Sequence, residues 1–392
     1  MKSFLRRKIG QLARISPIKT TRFGYPNKVL EHVPWLDPKY PADKYPTHVQ
    51  VVHFLKKRIN RNIGFAKRVK RSDPTLWDSI QNFQPWQRYI AVLKGARVSQ
   101  NTVIGPDNAI IWELSYLWNI NPYEHPLLKS PILPREVNLS GKTLFLCVAS
   151  ADNYFHWITD LLQKFKVLED TGIDYLGFDH YLVNSQHFEF QRESLRIMGV
   201  SADKIVETDR IKNLFCETIT VPSWADQSGF FDKADLIWLR EKLLQNDDYS
   251  GTSPPNRFFI SRKNTFGRNI LNVDDLKEVF KKHGIVSVEL ENLSFLEQMH
   301  LFRYAEIVIG AHGAGLTNII FCKPHTKVME LVNENYAHQM FYCLATVLEL
   351  DYFYLVGQII DKSPSVSPGF QDLIIDVDAI DHALGEWIQQ TQ

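Results

Sequence analysis

The sequence predicts an α/β protein with two Rossmann-like domains, each a parallel sheet covered by helices on both faces. Two observations support this fold class. The chain has 392 residues, more than one ordinary hydrophobic core accommodates. Strand-like and helix-like segments alternate in two blocks, and a Ser/Gly/Pro-rich stretch at 250–255 separates the blocks. Open parallel sheets bind ligands beyond the carboxyl ends of their strands, so a ligand site is expected there.

Hydrophobic periodicity divides the chain into three parts: a basic N-terminal extension (1–95), a first Rossmann-like domain (96–249) and a second one (250–392). The extension is rich in proline, arginine and aromatic residues and lacks regular periodicity. In the first domain the pattern predicts strands at 143–148, 181–183 and 219–221 and helices at 154–168, 188–198 and 233–245. In the second it predicts strands at 257–260, 285–288, 307–309 and 328–332 and helices at 272–284, 294–304 and 337–350.

The charge is unevenly distributed along the chain. Segments 1–30 and 45–72 each hold eight Lys or Arg residues and no acidic residue. Removing these sixteen from the 45 basic residues leaves 29 against 44 acidic ones, so the remainder carries about −15. Apolar residues near the N-terminus fall on one helical face, which predicts either an interfacial helix on an anionic membrane or a solvated or packed arm. No nucleic-acid-binding motif accompanies the charge, so nucleic acid is not an expected partner.

Composition also predicts the compartment. No apolar run reaches the ~18 residues of a membrane-spanning helix, and the first residues lack the continuous apolar stretch of a secretory signal. The four cysteines are widely spaced and form no CxxC pair, which argues against a zinc site. We therefore expect a cytoplasmic protein with buried, reduced thiols, peripheral on the inner face of a membrane if the basic segments bind one.

The glycine-rich stretch 306–318 is the most informative motif. A short β-branched run at 307–309 predicts a buried strand, and a turn with Gly310, Gly313 and Gly315 follows it. Glycines let the backbone approach a ligand closely, and free N–H groups at a following helix start attract an anion. His312 lies in the same turn, where its side chain can reach that anion. The stretch therefore predicts a phosphate site.

Two arginines are expected at the same sheet edge. Arg262 comes just after the predicted strand at 257–260, and Arg268 follows six residues later. Two guanidinium groups can neutralise a diphosphate through bidentate hydrogen bonds. The alternative is a pair of surface or salt-bridging arginines. Together with the glycine-rich turn, the pattern favours the diphosphate.

Two glutamates of the second domain have structural alternatives. Ser294 and Glu297 form a capping box, which by itself explains Glu297, although a donor-site role stays open. Glu330 lies near the end of a predicted strand. It is positioned either to accept hydrogen bonds from a ribose diol or to leave the sheet into solvent.

A histidine–aspartate pair opens the helix of the first domain. His156 and Asp160 are four residues apart and share a helical face, so the pair can act as general base on a hydroxyl group. The alternative is an N-terminal helical turn, capped by Asn153 or Asp152, in which His156 is satisfied locally. Trp157 is a candidate for stacking on a sugar, with core packing as its alternative.

Four segments resemble glycosyltransferase family 61, in the same order and at matching spacing. They are 153–160, then 259–262 with Arg268, then 293–298, and last 308–318 with 328–330 downstream. The resemblance spans about residues 97–335. The last segment is the most distinctive of the four.

The resemblance implies a GT-B fold, a nucleotide-sugar donor (usually a UDP-sugar) held by the second domain, and inversion at the anomeric carbon without a metal or other cofactor. It assigns the first domain to the acceptor. Carried over by position, the diphosphate-binding residues are Arg262, Arg268, His312, Gly313, Ala314, Gly315 and Asn318. Glu330 would meet the ribose. Asn153, Trp157, His156 and Asp160 would face the acceptor.

The predicted function is transfer of a sugar from a nucleotide sugar to a hydroxyl group of a glycan or glycolipid, in polysaccharide (capsule) or glycoconjugate synthesis. A His156/Asp160 base would supply ~10²–10⁴ in rate. Two alternatives remain at this point: a nucleotide-sugar binding or assembly protein without turnover, and a pyruvyl transferase acting on sugars.

Overall fold

The structure is a computed structural model of the 392-residue chain. It describes residues 26, 28–55, 67–68, 86–115, 121–129, 134–225, 228–245, 253–262, 267–333, 335–336, 338–360 and 366–389. The described residues form two compact α/β units. The first contains residues up to 55 and 86–225, and the second contains 67–68 and the residues from 228 onward. The apolar helix pattern predicted near the N-terminus, and residues 56–66 and 69–72 of the second basic segment, lie outside the described residues.

The described residues contain sixteen strands. They are β1 (Lys28–Leu30), β2 (Val49–Phe54), β3 (Lys67–Arg68), β4 (Tyr89–Ser99), β5 (Thr102–Ile104), β6 (Ala109–Ile111), β7 (Val137–Phe145), β8 (His180–Val183), β9 (Ile205–Glu207), β10 (Leu214–Pro222), β11 (Arg257–Ile260), β12 (Val286–Val288), β13 (Ile307–Ala311), β14 (Lys327–Asn333), β15 (Asp351–Ile359) and β16 (Leu373–Ile374).

Nine α-helices lie within the same described ranges. They are α1 (Pro126–Lys129), α2 (Tyr154–His156), α3 (Gln163–Asp170), α4 (Glu189–Ile197), α5 (Lys233–Leu244), α6 (Val273–Lys282), α7 (Phe295–Arg303), α8 (Met340–Val347) and α9 (Val377–Gln389). A π-helical turn, Trp157–Leu161, joins α2 to α3, and a 3₁₀ helix, Ala314–Phe321, follows β13. None of the helices in the described ranges has the length and apolar character needed to cross a bilayer.

The first unit holds a mixed sheet in the order β1-β6-β5-β4-β10-β7-β8-β9, with β2 also paired to β4. Strands β10, β7, β8 and β9 are parallel, as predicted for a Rossmann-like domain. The other half differs, because β4 pairs antiparallel with β2, β5 and β10. A two-residue turn at Gln100 and Asn101, both with positive φ, joins β4 to β5, as tight hairpins require.

The predicted extension 1–95 is therefore partly built into the sheets. Strands β1 and β2 extend the first sheet, and Val49 and Val52 join its core. Strand β3 pairs with β15 of the second unit. The sequence did not predict these strands, because β1 and β3 have only three and two residues and their pairing is long-range.

The second unit is the predicted parallel sheet. Its order is β12-β11-β13-β14-β15-β16, with β3 paired to β15 and only β16 antiparallel among the described strands. Helices α6, α7 and α8 and the 3₁₀ helix connect successive parallel strands. Every residue of β13 is buried, as expected for a central strand covered on both faces. The register places Ile260 beside Gly310 and Gly310 beside Glu330, so the carboxyl ends of β11, β13 and β14 meet at one edge.

The second unit begins earlier than the predicted boundary at 250. Helix α5, which the sequence placed last in the first domain, belongs to the second unit. Arg240 of α5 donates a hydrogen bond to the carbonyl of Cys322 (3.1 Å), and Lys233 pairs with Glu349 (2.6 Å). The Ser/Gly/Pro-rich stretch thus follows the first helix of this unit instead of preceding the unit.

Two local predictions are confirmed. Ser294 and Glu297 form the capping box of α7, with the Ser294 N–H donating to Oε2 of Glu297 at 2.8 Å. These hydrogen bonds lower the pKa of Glu297. The four cysteines, Cys147, Cys216, Cys322 and Cys343, are buried free thiols.

Candidate active site

The turn after β13 forms the centre of the candidate site in the second unit. The His312 N–H still donates to the carbonyl of Leu331 in β14 (2.9 Å), so the histidine leaves the sheet at a fixed point. Gly313 follows in an extended conformation, and the 3₁₀ helix begins at Ala314. The helix is tighter than an ordinary α-helix. Its first N–H groups follow the end of β13 closely in sequence, since β13 ends at Ala311.

Gly313 makes room for an arginine. A Cβ atom added at this position would lie 2.3 Å from Nη1 of Arg262, so only glycine lets that guanidinium group lie against the turn. Arg262 also donates from Nη2 to the carbonyl of Gly267 at 3.3 Å. Gly267 has φ +73° and Arg268 has φ +60°, so the backbone bends sharply before Arg268. The structure therefore brings Arg262, Gly313 and the loop of Arg268 together.

The two arginines are half-buried, and the positive charge of Arg268 acts on Arg262. In the described part of the chain, the Nε atoms of Arg262 and Arg268 are buried and have no hydrogen-bond partner. Burial lowers the pKa of Arg262 to about 10, and the charge of Arg268 lowers it further while Glu291 and Asp372 act against this. Burial also lowers the pKa of Arg268. Both remain charged at neutral pH. Two desolvated like charges with unused donors are suited to an anionic ligand.

The loop of Arg268 is held in place by the end of the chain. The N–H and Nδ2 of Asn269 donate to Oδ1 of Asp372 at 2.8 Å and 3.0 Å. The Leu271 N–H donates to the carbonyl of Leu373, and the Leu373 N–H donates to the carbonyl of Asn269. The conformation of the arginine loop is thus set by contacts about 100 residues away in sequence.

Glu330 lies inside the unit, behind His312. Its side chain has no exposed surface, and its Oε1 accepts a short hydrogen bond from Nδ1 of His312. Tyr352 donates a second short bond to Oε2. Burial and the neighbouring glutamate hold the pKa of Tyr352 well above its usual value, so the phenol keeps its proton. Glu330 therefore does not leave the sheet into solvent, because both of its oxygens are engaged within the protein.

Aromatic rings surround His312. The ring centroids of Phe341 and Tyr336 lie 5.2 Å and 5.6 Å from that of His312, and the ring of His338 lies at 6.2 Å. Burial lowers the pKa of His338, and the charge of His312 lowers it further. His338 is therefore neutral at neutral pH. These residues and Tyr352 were not predicted, because their proximity depends on strand register and loop path.

Asn318 supports the turn from within. It is fully buried, and its Nδ2 donates to Oε1 of Gln298 (3.0 Å) and to the carbonyl of Gly315 (3.3 Å). These bonds join the 3₁₀ helix to α7. Ala314 and Gly315, by contrast, keep some exposed surface at the start of the helix.

In the first unit the structure pairs His156 with Asp160. Nδ1 of His156 lies 2.7 Å from Oδ2 of Asp160, and Thr159 Oγ1 donates to Oδ1 at 3.2 Å. Both residues are more than nine-tenths buried. The π-helical turn follows His156 and contains Asp160, and it is closed by the Leu162 N–H donating to the carbonyl of Trp157 at 3.1 Å. Such turns are rare and concentrate at functional sites.

A buried lysine completes this cluster. Lys164 is 1% exposed, and its Nζ donates to the carbonyl of Cys147 at 2.8 Å. Burial lowers the pKa of Lys164 to about 8, partly offset by the charges of Cys147 and Asp160. The sequence pattern did not predict Lys164 as a site residue. The available signal was its spacing of four from Asp160, but lysines at such positions are usually exposed.

The two residues predicted at the acceptor have structural roles here. Asn153 caps α2, since its Oδ1 accepts a hydrogen bond from the Phe155 N–H at 2.9 Å. It remains exposed to solvent. Trp157 has no exposed surface, and its indole N–H donates to Ser194 Oγ at 2.8 Å. This is the core-packing use that the sequence also allowed for Trp157.

Comparison with known proteins identifies this arrangement. The sequence profile of the family described as Glycosyltransferase 61 matches residues 154–329. The match includes the His156/Asp160 pair, both arginines and the turn at His312. Residues 154–329 of this chain thus carry the sequence pattern of glycosyltransferase family 61.

Members of the family share local sequence with this chain. The chain is 36% identical over 248 residues to the EGF domain-specific O-linked N-acetylglucosamine transferase of Drosophila melanogaster, covering 55% of this chain and 45% of that protein. It is 28% identical over 97 residues to the beta-1,2-xylosyltransferase RCN11 of Oryza sativa subsp. japonica, covering 23% and 18%. The chain thus spans less than half the length of these curated relatives.

Proposed function

We propose that this protein is a glycosyltransferase that moves a sugar from a nucleotide sugar to a hydroxyl group of an acceptor. One observation carries the proposal: Arg262 and Arg268 hold two desolvated positive charges, with unused donors, beside the turn of Gly313. A diphosphate fits this set because it offers two or more negative charges and several acceptor oxygens.

The second unit would stabilise the leaving group. As the bond from the anomeric carbon to the diphosphate breaks, negative charge develops on the diphosphate oxygens. The two guanidinium groups, His312 and the N–H groups of Gly313, Ala314 and Gly315 would act as donors to such charge. Because they are already in place, little reorganisation is needed during the reaction.

The first unit would activate the acceptor. His156 and Asp160 form a buried pair, and one of them takes the proton of the attacking hydroxyl group. Direct attack by that oxygen on the anomeric carbon, opposite the departing diphosphate, inverts the configuration. The proposal therefore predicts an inverting enzyme and needs no metal ion for the chemistry.

The donor and acceptor classes follow from the family. We propose a UDP-sugar donor and a glycan or glycolipid acceptor, in polysaccharide (capsule) or glycoconjugate synthesis in the cytoplasm. Peripheral membrane contact is proposed through the basic segments 1–30 and 45–72. The names of the relatives make N-acetylglucosamine and xylose the first sugars to test and an EGF domain one of the acceptors.

The test is a panel of nucleotide sugars with and without acceptors, read by release of nucleoside diphosphate and by mass of the product. Acceptor-dependent release with one donor, unchanged by EDTA, is the expected result. Donor binding without release would indicate an assembly protein instead. Incorporation of pyruvate from phosphoenolpyruvate, with no nucleotide released, would indicate a pyruvyl transferase.

A further inference from the structure

We propose that Glu330 is a positioning residue that, with Tyr352, holds His312 as a fixed cation for the diphosphate and makes no contact with the ribose. The inference deepens the proposed function and rests on it for the identity of the ligand. It assigns roles to two residues that lie behind the donor site.

Both oxygens of the Glu330 carboxylate are already hydrogen-bonded within the protein. Glu330 has no exposed surface, and each of its oxygens already has a partner, His312 on one side and Tyr352 on the other. A ribose diol would have to displace one of these partners from a fully buried position. Breaking a buried, charge-assisted hydrogen bond is costly, so a direct ribose contact is disfavoured.

The second step is the direction of the hydrogen bonds. The Tyr352 phenol keeps its proton and donates to Oε2. Oε1 then accepts from Nδ1–H of His312. A neutral imidazole with its proton on Nδ1 would present a lone pair at Nε2, which repels phosphate oxygens. The imidazolium form presents Nε2–H instead, which can donate to phosphate oxygens.

The third step is the availability of Nε2. In the described ranges, the only hydrogen bond from the His312 side chain is the one to Glu330. Nε2 is thus left without a protein partner, while Tyr336, Phe341 and His338 surround the ring and restrict its rotation. The ring is held at one nitrogen and open to a ligand at the other.

The fourth step is the local charge. Arg262, Arg268 and a protonated His312 carry three positive charges, and Glu330 carries one negative charge. The charge of Glu330 acts on Arg268 and His338, while Glu291 and Asp372 act on Arg262. The Tyr352 phenol keeps its proton. The balance of these groups is about two positive charges, which matches the two negative charges of the diphosphate in an intact nucleotide sugar.

The test is a double-mutant cycle on the full-length protein with two probes, UDP and inorganic pyrophosphate, measured by calorimetry. Glu330→Gln is expected to weaken both probes about tenfold, because a charge-assisted bond to His312 is lost. In the His312→Ala background the same change should alter neither affinity by more than about twofold. Weakening of UDP alone, persisting without His312, would show a ribose contact and overturn the inference.

A second readout is independent of nucleotide binding. The NMR titration midpoint of the His312 imidazole, assigned by its loss in His312→Ala, should fall in Glu330→Gln. Tyr352→Phe should shift it in the same direction by less, and it decides the question if Glu330→Gln does not fold. Equal midpoints in these variants and the wild type would refute the positioning role of Glu330. If wild-type protein binds neither probe, the proposed function fails, while this readout still tests whether Glu330 positions His312.

Discussion

At the scale of single residues, the candidate donor site is built from charges that destabilise one another. Arg262 and Arg268 are half-buried, the charge of Arg268 lowers the pKa of Arg262, and both leave buried Nε atoms unpaired among the described residues. Such an arrangement costs folding free energy, and binding of an anion relieves it. Function and stability are therefore expected to respond in opposite directions to substitution here.

Arg262→Ala should weaken UDP binding tenfold or more, because it removes a charged partner of the diphosphate. The melting temperature of the free protein should stay the same or rise, since one desolvated like charge is gone. Arg257→Ala is the matched control. Arg257 lies at the other end of β11 in a solvent-exposed pair with Glu306 (3.0 Å), so its loss should leave binding unchanged. Calorimetry and thermal unfolding measure both effects, and wild-type affinity in Arg262→Ala would contradict the assignment.

Asp160→Asn and His156→Ala should each lower kcat by ~10²–10⁴ with little change in affinity for the donor. The reason is that the pair acts on the acceptor proton and not on the diphosphate. Asp203→Asn, an exposed carboxylate in the same unit, serves as the control. Steady-state kinetics at saturating donor provide the measurement. Normal turnover in the Asp160→Asn, His156→Ala double variant would remove the base from this site.

At the scale of elements, two glycines beside the arginines have different tasks. A Cβ atom at position 313 would meet the flexible end of the Arg262 side chain. A Cβ atom at position 267, where φ is +73°, would lie 2.2 Å from the carbonyl oxygen of Phe370. A side chain can move aside more easily than backbone. The two positions therefore separate a functional glycine from a structural one.

Gly313→Ala should weaken UDP binding about tenfold while changing the melting temperature little, because the displaced atom is the end of Arg262. Gly267→Ala should cost about 1–3 kcal/mol of folding free energy through backbone strain. Differential scanning calorimetry and binding isotherms of the two variants test the contrast. The reverse pattern, with Gly313→Ala the more destabilising, would contradict the packing described here.

The π-helical turn and α3 bring Lys164 near enough to Asp160 for the charge of Asp160 to act on it. Folding lowers the pKa of Lys164 from its usual 10.5 to about 8, chiefly by burial. Between these two values the unfolded chain binds more protons than the folded one, so the stability of the fold relative to the unfolded state rises with pH. The penalty for burying the charged lysine is complete below pH 8 and is relieved towards pH 10.5.

The stability of wild-type protein relative to Lys164→Met should therefore increase as the pH rises from 7 to 10. Denaturant unfolding at several pH values measures the difference, and other lysines cancel because both proteins share them. Lys142→Met, an exposed lysine in the same unit, should show no such trend. A pH-independent difference for Lys164→Met would mean that its burial does not perturb its titration.

At the scale of the whole molecule, the two proposed tasks fall on different units. The residues proposed to bind the diphosphate all belong to the second unit, and the candidate base belongs to the first. A nucleotide without acceptor should thus stabilise the second unit directly. At a concentration of 100 times Kd, the linkage relation gives about 2.7 kcal/mol.

UDP should protect backbone amides from hydrogen exchange mainly at 267–271 and 307–321, where the arginine loop, β13 and the 3₁₀ helix contact the proposed ligand. Exchange of the β7 and α3 amides in the first unit should change little. Mass spectrometry of the peptides from the full chain gives the measurement. Protection confined to the first unit would place the nucleotide elsewhere.

Local sequence determined the strand, turn and helix around His312, the spacing of His156 and Asp160, and the capping box of α7. These follow from neighbouring residues: periodicity sets the element, glycine permits the turn, and parallel strands end at one edge. The arginines were predictable for the same reason, because Arg262 comes directly after β11.

Only the tertiary structure decided which groups meet over long separations. Strand register turned Glu330 inward to His312 and Tyr352, and packing buried Trp157 and Lys164. Short strands from the N-terminal region entered both sheets through hydrogen bonds to distant partners. A polar side chain in a buried strand carries no local mark of its partner, because that partner is set by the pairing of strands far apart in sequence.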